Sequence, residues 1–541
     1  MLDYIELRDQ LPAPTTAPAP PTRRPARDQT ASTGTYYTES KPTTSHEVRG
    51  TSWKGHAFSS HEEAATSFSQ NLPTEKELDQ QLQDVVAAMD VGTPEQRDRT
   101  LTMLRKHRHA GLFSTVENKH GKIKGHKVSV ELKSNNPIFT PPHGSTPMQN
   151  EELCRQTEEP LQHGHVKPTV SANNFPTLLA SKGEAKTNPD GSITQTAPRL
   201  TLDLRKLNPL IFTEFFELPN VRHLCDTLAA SSLHSSFDCT SGYSQVELSD
   251  TDTPKSVDMM AFTLPHCRHR LSGQRFSFTR MVMGMRDSGA RFSRILHAVL
   301  AKHGYVHQYI DDIFVSNGDV GQDITSTVDE HITRIDAVFT TLAASGVKLA
   351  PTKLDLFKTS IEALGHTISN HTVTVSKKKT DAIRGIQPPT NRSELEIAMG
   401  VLGVARRFMP AFAEVALPSC KLLAKDWRTF KWEAPHQAAF DEIKRRFDDT
   451  HALHAPNFDL PFEIHADSSG TAAASMLTQR DPDTGINNIV EFHSKQLSDA
   501  ERNYTTAERE CLSLVMSCRR WRACAAKSPE RICDARVRTC G

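Results

Sequence analysis

The chain has 541 residues, enough for about three to four folded units at roughly 100 to 200 residues each, so a single small module is excluded. Its 64 Lys and Arg balance its 64 Asp and Glu, which excludes a polycation or an acidic tail protein and makes any electrostatic footprint local, although 25 His would add positive charge in mild acid. With 37% hydrophobic residues, a mean hydropathy of -0.49 and no apolar run near the roughly 18 residues a membrane helix requires, a soluble chain without a membrane span is expected.

The N-terminus, MLDYIELRDQLPAP, lacks the basic start, apolar core and small-residue cleavage site of a secretory signal. The ten Cys contain no C-x-x-C pair, so free thiols are expected rather than a disulfide framework or a zinc ribbon. Both point to a reducing, intracellular and cytoplasmic setting. Between Pro12 and Glu47 there is no Leu, Ile, Val, Met, Phe or Trp, so residues 1–75 are expected to be a disordered arm rich in Pro, Thr and Ser. Residues 76–124 read as a helical linker. Leu78, Leu82, Val85, Val86 and Met89 share one stripe, and TPEQ at Thr93 to Gln96 opens a second helix. The Lys, Arg and His of 105–133 fit a solvated basic linker as well as a nucleic-acid contact.

Residues 125–374 show short β-rich runs separated by turn chemistry, such as NPDG at Asn188 to Gly191 and SNG at Ser316 to Gly318, and predict a mixed α/β domain. Over 375–450 the pattern turns helical. Ser393 and Glu396 read as a capping box before Leu395, Ala398, Leu402, Ala405 and Met409. Residues 451–541 predict a smaller α/β unit of three strands (PFEIHADSSG, AAASMLTQ, IVEFHSK) and a long helix opened by Thr505 and Glu508, which is expected to bury Cys511, Leu514, Val515 and Cys518.

The strongest local signal is YIDD, Tyr309 to Asp312, inside GYVHQYIDDIFVSNG. Apolar β-formers flank two adjacent acids, which predicts strand, tight turn and strand with both Asp at the turn. Two carboxylates about 4 Å apart repel by roughly 4 kcal/mol at an effective dielectric near 20, so a divalent metal or a raised pKa is the natural remedy. An exposed Asp-Asp hairpin turn is the plain alternative. A third acid, Asp238, ends an apolar run in SSFDCTSGYSQVEL and precedes a bend at Gly242 and Tyr243.

Taken in order, FDCTSGYSQVEL, FSFTRMVMG, QYIDDIFV and LGHTIS resemble the palm motifs of reverse transcriptases from gypsy-type long-terminal-repeat retrotransposons. Upstream, PRLTLDLRKLN is similar to the family's fingers strand. Downstream, RRFMPAFAEVALPSCKLLAKD and FKWEAPHQAAFDEIK are similar to its thumb and connection, so that the resemblance covers roughly Thr93 to Arg522. It implies an α+β right-hand polymerase fold, with fingers and an antiparallel-sheet palm over 125–374, a helical thumb and connection over 375–450, and an incomplete ribonuclease H-like domain over 451–541.

The function so implied is an RNA-directed DNA polymerase of a retrotransposon, working on an RNA and DNA template-primer with dNTPs. Asp238, Asp311 and Asp312 would be catalytic and would hold two Mg²⁺ ions, with Mn²⁺ as a substitute. Lys182, Arg199 and Lys353 correspond to residues near the triphosphate, and Tyr243 to the aromatic that excludes a 2′-hydroxyl. The chain departs from the pattern at Gly289, where the family carries Pro before a helix. DSGA at Asp287 to Ala290 also resembles an aspartic-protease string, but Arg286 and Arg291 flank it and a helical pattern follows.

The last unit resembles the family's ribonuclease H domain through Asp467 and Glu510. Cys540 stands where a further Asp is expected, Asp534 is the nearby late acid, and no β-patterned run places Asp534 beside Asp467. Little or no ribonuclease H activity is therefore expected, and other products of the same polyprotein are expected partners. The reading of a different class is a decayed or domesticated remnant that grips nucleic acid without copying it.

Overall fold

The computed structural model describes residues 72–541 apart from 181–185, 188–192, 195–197, 254, 319–321, 370, 425–429, 449–451, 523, 525–535 and 538–541. The expected disordered arm lies outside the described residues up to position 71, as do Lys182, the NPDG turn, Asp534 and Cys540.

Two capping boxes open the described chain. Thr74 with Glu77 starts α1 (Glu75–Ala87), and Thr93 with Gln96 starts α2 (Pro94–His109), where Pro94 costs nothing because a first-turn N–H has no intrahelical partner. Leu78, Leu82, Val86 and Leu104 enter the same hydrophobic core as Phe237, Ile313 and Phe339 further along the chain, so this stretch is packed rather than a free linker. Its basic residues are largely neutralised there: Arg105 pairs with Asp79 at 2.8 Å and Lys106 with Asp336 at 2.8 Å.

Helix α3 (Pro147–Gln162) follows, then β1 (Val166–Pro168) and the antiparallel pair β2 (Thr177–Ala180) and β3 (Arg199–Leu202), in which Ala180 faces Arg199. After α4 (Val221–Ala229) come β4 (Leu233–Asp238), β5 (Ala261–Thr263) and β6 (Arg275–Phe278), and β6 pairs with both β1 and β5. The central sheet is completed by β7 (Val306–Tyr309), β8 (Asp312–Asn317) and β9 (Asp355–Lys358) in the order β7-β8-β4-β9, all antiparallel. Two helices back it. Phe292, Ile295 and Leu296 of α5 (Ser288–Leu300) and Ile335, Val338, Phe339 and Leu342 of α6 (Ile324–Ala344) are buried, and the Phe339 ring meets Phe237 edge-on at 5.1 Å.

A second four-stranded sheet runs β10 (Ser360–Ala363), β11 (His366–Ser369), β12 (Thr372–Val375) and β13 (Leu453–His454). Its core includes Ile361, Ile368 and Val373 with Leu402 of α7 (Arg392–Leu402) and Phe440 and Ile443 of α8 (Ala434–Asp448). The expected box at Ser393 and Glu396 is corrected. Asn391 caps α7, its side chain accepting from Glu394 N, while Glu396 pairs with Arg392 at 2.9 Å. Asn is as good a cap as Ser, and its extended backbone decides the start two residues earlier.

The last unit orders β16 (Asn487–Gln496), β15 (Ala472–Arg480), β14 (Glu463–Ser468) and β17 (Arg536–Val537), with α9 (Thr506–Arg520) against β14 and β15. One expectation is overturned here: Cys511, Val515 and Cys518 are exposed, and the buried positions of α9 are Ser513 and Ser517. Ser513 Oγ donates to the carbonyls of Asp467 and Ala474, at 3.0 and 3.1 Å, so small hydroxyls let the helix approach the sheet closely. Beyond the three strands read from the sequence, a short fourth follows the helix: β17 pairs in parallel with β14, Val537 opposite Ala466. Parallel edge pairing over two residues leaves no alternation to read in sequence. No helix among the described residues is long and apolar enough to cross a membrane.

Candidate active site

Antiparallel register brings the first two acids together. β8 pairs with β4 over six residues, from Asn317 opposite Leu233 to Asp312 opposite Asp238, so the two carboxylates project from facing positions of neighbouring strands. Tyr309 pairs with Asp312, leaving Ile310 and Asp311 as a two-residue turn. Only Asp311 therefore sits in the turn proper; Asp312 begins the strand. Ile310 has φ 56°, a left-handed backbone that a β-branched residue adopts at a cost of roughly 1–3 kcal/mol. Asn or Gly would relax this turn, and the Ile side chain instead packs against the core.

Burial and like charge load the site. Asp312 is pushed up to about 6, first by burial and then by Asp311 and Asp238. Asp238 is also raised, by burial, despite the opposing Lys353 ammonium, which hydrogen-bonds its Oδ2. Its other oxygen, Oδ1, is buried with no hydrogen-bond partner. The oxygens of the three acids do not all come within 4.8 Å of one another. Hard carboxylate donors, an unpaired buried oxygen and a bound ammonium together fit a divalent cation such as Mg²⁺.

The bend after β4 is braced from three sides. Ser241 has φ 48°, and a Cβ on Gly242 would lie 2.8 Å from the Phe292 ring, so this position takes only Gly. Tyr243, half-buried, meets the same ring edge-on at 5.7 Å. Its hydroxyl is raised by burial and then by Asp311. Gln245, buried, donates to the carbonyls of Thr240 and Lys348 at 2.8 and 2.9 Å and accepts from Lys348 N. Sequence reasoning passed over Gln245, Phe292 and Ile310; an amide two residues past Gly-Tyr in an apolar run is the one signal that marked Gln245.

The remaining candidates fall as follows. Lys353 reaches the aspartates, whereas Arg199 sits in β3, on a different sheet. Gly289 lies in the first turn of α5, which starts without Pro, and a Cβ there would stand at ordinary contact distance, 3.6 Å from the Tyr243 hydroxyl and 3.9 Å from Ile310. Asp287 is buried beside Arg291, at 2.7 Å, and heads a helix rather than ending a strand, which removes the protease-like geometry. In the last unit Asp467 is exposed on β14. Glu510 shares the α9 stripe of Ser513 and Ser517, so it lies one turn from the hydroxyl that bonds the Asp467 carbonyl.

Comparison with known proteins places these elements. A family model described as reverse transcriptase (RNA-dependent DNA polymerase) matches residues 187–368, and one described as an RNase H-like domain found in reverse transcriptase matches 432–532. The retrovirus-related Pol polyprotein from transposon 297 of Drosophila melanogaster is 27% identical over 392 residues, covering 72% of this chain and 34% of the relative. That from transposon opus of the same organism is 26% identical, at 72% and 38%. The transposon Tf2-3 polyprotein of Schizosaccharomyces pombe is 24% identical, at 74% and 28%. The chain thus spans about a third of the length of these curated relatives. Among solved structures, the foamy viral protease-reverse transcriptase in complex with dsDNA superposes with a TM-score of 0.71 at 19% identity, over 85% of this chain and 88% of that one. At that identity the likeness establishes the fold.

Proposed function

We propose, from the premise that this chain belongs to the reverse transcriptase and ribonuclease H region of gypsy-type retrotransposon Pol polyproteins, that it extends a DNA primer on an RNA template with dNTPs. The observation that carries this reading is the facing of Asp238 and Asp312 across β4 and β8, with Asp311 on the turn and one Asp238 oxygen unpaired.

Asp238, Asp311 and Asp312 would hold two Mg²⁺ ions, or Mn²⁺ in their place. When bound, such a pair supplies charge that lowers the pKa of the primer 3′-hydroxyl and neutralises the departing pyrophosphate. The protein's own part is positioning. Lys353 holds one Asp238 oxygen and keeps a positive charge beside the acids, where triphosphate oxygens compete for it. Tyr243, wedged on Phe292, presents a rigid edge against which a ribose 2′-hydroxyl clashes and a deoxyribose does not. Arg199, on β3, and Lys182, which lies outside the described residues, are the further triphosphate contacts proposed. That solved neighbours are foamy viral protease-reverse transcriptases in complex with dsDNA and with an RNA/DNA hybrid supports a template-primer as the partner.

Primer extension by the full chain on a primed RNA template, with Mg²⁺ and with Mn²⁺, tests the reading. Extension lost in Asp238→Asn supports it. Duplex binding with no extension under either ion assigns the chain instead to the non-copying remnant.

A further inference from the structure

The C-terminal turn of α3 carries Glu159, and His163 caps the helix four residues later, so both side chains leave one face. The loop preceding the fingers strands brings His120 to them: its ring centre is 4.6 Å from that of His163 and 4.3 Å from that of His165. Nε2 of His120 is buried, makes no hydrogen bond and stands 3.4 Å from a Glu159 carboxylate oxygen. One ligand atom from each of His120, Glu159 and His163 lies within 4.8 Å of the other two, the one such group of three among the described residues.

The chemistry of these donors is specific. Two imidazoles and a carboxylate suit a borderline cation such as Zn²⁺ rather than Mg²⁺. With bonds of about 2.0–2.2 Å in a tetrahedron, ligand atoms stand roughly 3.3–3.6 Å apart, which the 3.4 Å separation of His120 and Glu159 already meets. Nδ1 of His163 lies 2.9 Å from the Glu159 backbone carbonyl. A carbonyl only accepts, so this contact places the proton on Nδ1 and leaves the Nε2 lone pair for a metal, the outer-shell arrangement that metal-binding histidines use.

We propose that His120, Glu159 and His163 form a Zn²⁺ site, separate from the aspartates, that clamps the end of α3 to the loop over 114–123. That loop is itself fastened to the segment after Asp238: Ser114 Oγ donates to Thr240 Oγ1 at 2.8 Å, and Ile123 N donates to Gln245 O at 2.9 Å. The clamp therefore ties the fingers helix to the floor of the polymerase site. Glu159 and His163 are exposed, which gives the ion access and leaves its fourth position to water.

Lys119 competes for the same carboxylate, its Nζ 2.8 Å from Glu159 Oε1. This separates a metal site from a simple surface ion-pair network, because removing Lys119 weakens the network and strengthens the site. The test titrates the full chain with ZnCl₂ under excess Mg²⁺, which occupies the aspartates, and follows Co²⁺ substitution by its visible absorption. The expected result is one equivalent of Zn²⁺ with tetrahedral Co²⁺ bands. Glu159→Gln and His163→Gln should each weaken it by at least about tenfold, since outer-shell changes alone cost that much. Lys119→Met should tighten it several-fold. The two Gln changes are at exposed positions, and an unchanged melting temperature in metal-free buffer certifies their folding. No bound equivalent, equal affinity in wild type and both Gln variants, or weaker binding by Lys119→Met would each overturn the site. Extension activity is not a readout here, so failure leaves the polymerase reading untouched.

Discussion

The palm and the ribonuclease H-like unit both present acids from a strand end, yet they treat them differently. In the palm, six residues of register press Asp312 against Asp238 over a core that includes Phe237, Ile313 and Phe339, and the acids are buried enough for Asp312 to rise to about 6. In the last unit Asp467 is exposed, and the core beneath it is small, made of Phe462, Ile464, Ala466, Leu477, Val490 and Trp521. Among the described residues of that unit the one buried acid, Glu491, is spent on structure: Arg222 at 2.7 Å, Arg520 at 2.9 Å and the Trp521 indole saturate it. Acids that are buried and incompletely paired store an electrostatic cost that a cation relieves, whereas exposed acids are solvated and saturated ones already have their counter-charges.

The largest effect should come from the turn. Asp311→Asn is expected to lower primer extension by roughly three orders of magnitude, equivalent to about 4 kcal/mol, with duplex affinity nearly unchanged, because grip depends on phosphate contacts elsewhere. Extension rates beside a filter-binding isotherm check it, and full activity would dissolve the contrast between the two regions. Next, Tyr243→Ala should raise the incorporation of ribonucleotides relative to deoxynucleotides by roughly 10- to 100-fold, since one steric penalty is removed from one sugar only. An unmoved ratio would show that Tyr243 does not face the sugar.

A smaller effect concerns stability and has the opposite sign. A carboxyl raised to about 6 in the fold binds more protons folded than unfolded between about pH 4 and 6, so its contribution to stability falls as pH rises through that window. Asp312→Asn should therefore stabilise the metal-free chain at pH 7 by on the order of 1–3 kcal/mol while still lowering extension. The gain should shrink at pH 5, where the wild-type carboxyl regains its proton. Urea melts at both pH values decide this, and a variant less stable at pH 7 would mean that Asp312 carries no stored cost. The smallest effect belongs to the last unit: Asp467→Asn should leave extension within about twofold, and cleavage of an RNA strand paired with DNA should be weak before and after the change. Strong cleavage that vanishes in Asp467→Asn would erase the distinction between the regions.

Much of this was legible in order along the chain. Helix starts at Thr93 and Thr505 follow from capping chemistry, the strands around Asp238 and YIDD from β-branched and aromatic runs, and the family from several motifs in sequence. These are local properties, set by neighbours within a few residues, which is why they survive without a three-dimensional context. The cap at Asn391 and the Ser513 and Ser517 face of α9 were misread because several residues fit the same local pattern and packing chooses among them. Tertiary structure alone decided that Asp312 faces Asp238, that Lys353 reaches Asp238 Oδ2, that the Phe292 ring crowds Gly242, and that His120 meets Glu159 and His163 from a separate segment. Such meetings depend on register and long-range closure, and a linear sequence carries the chemistry of each partner but not the distance between them.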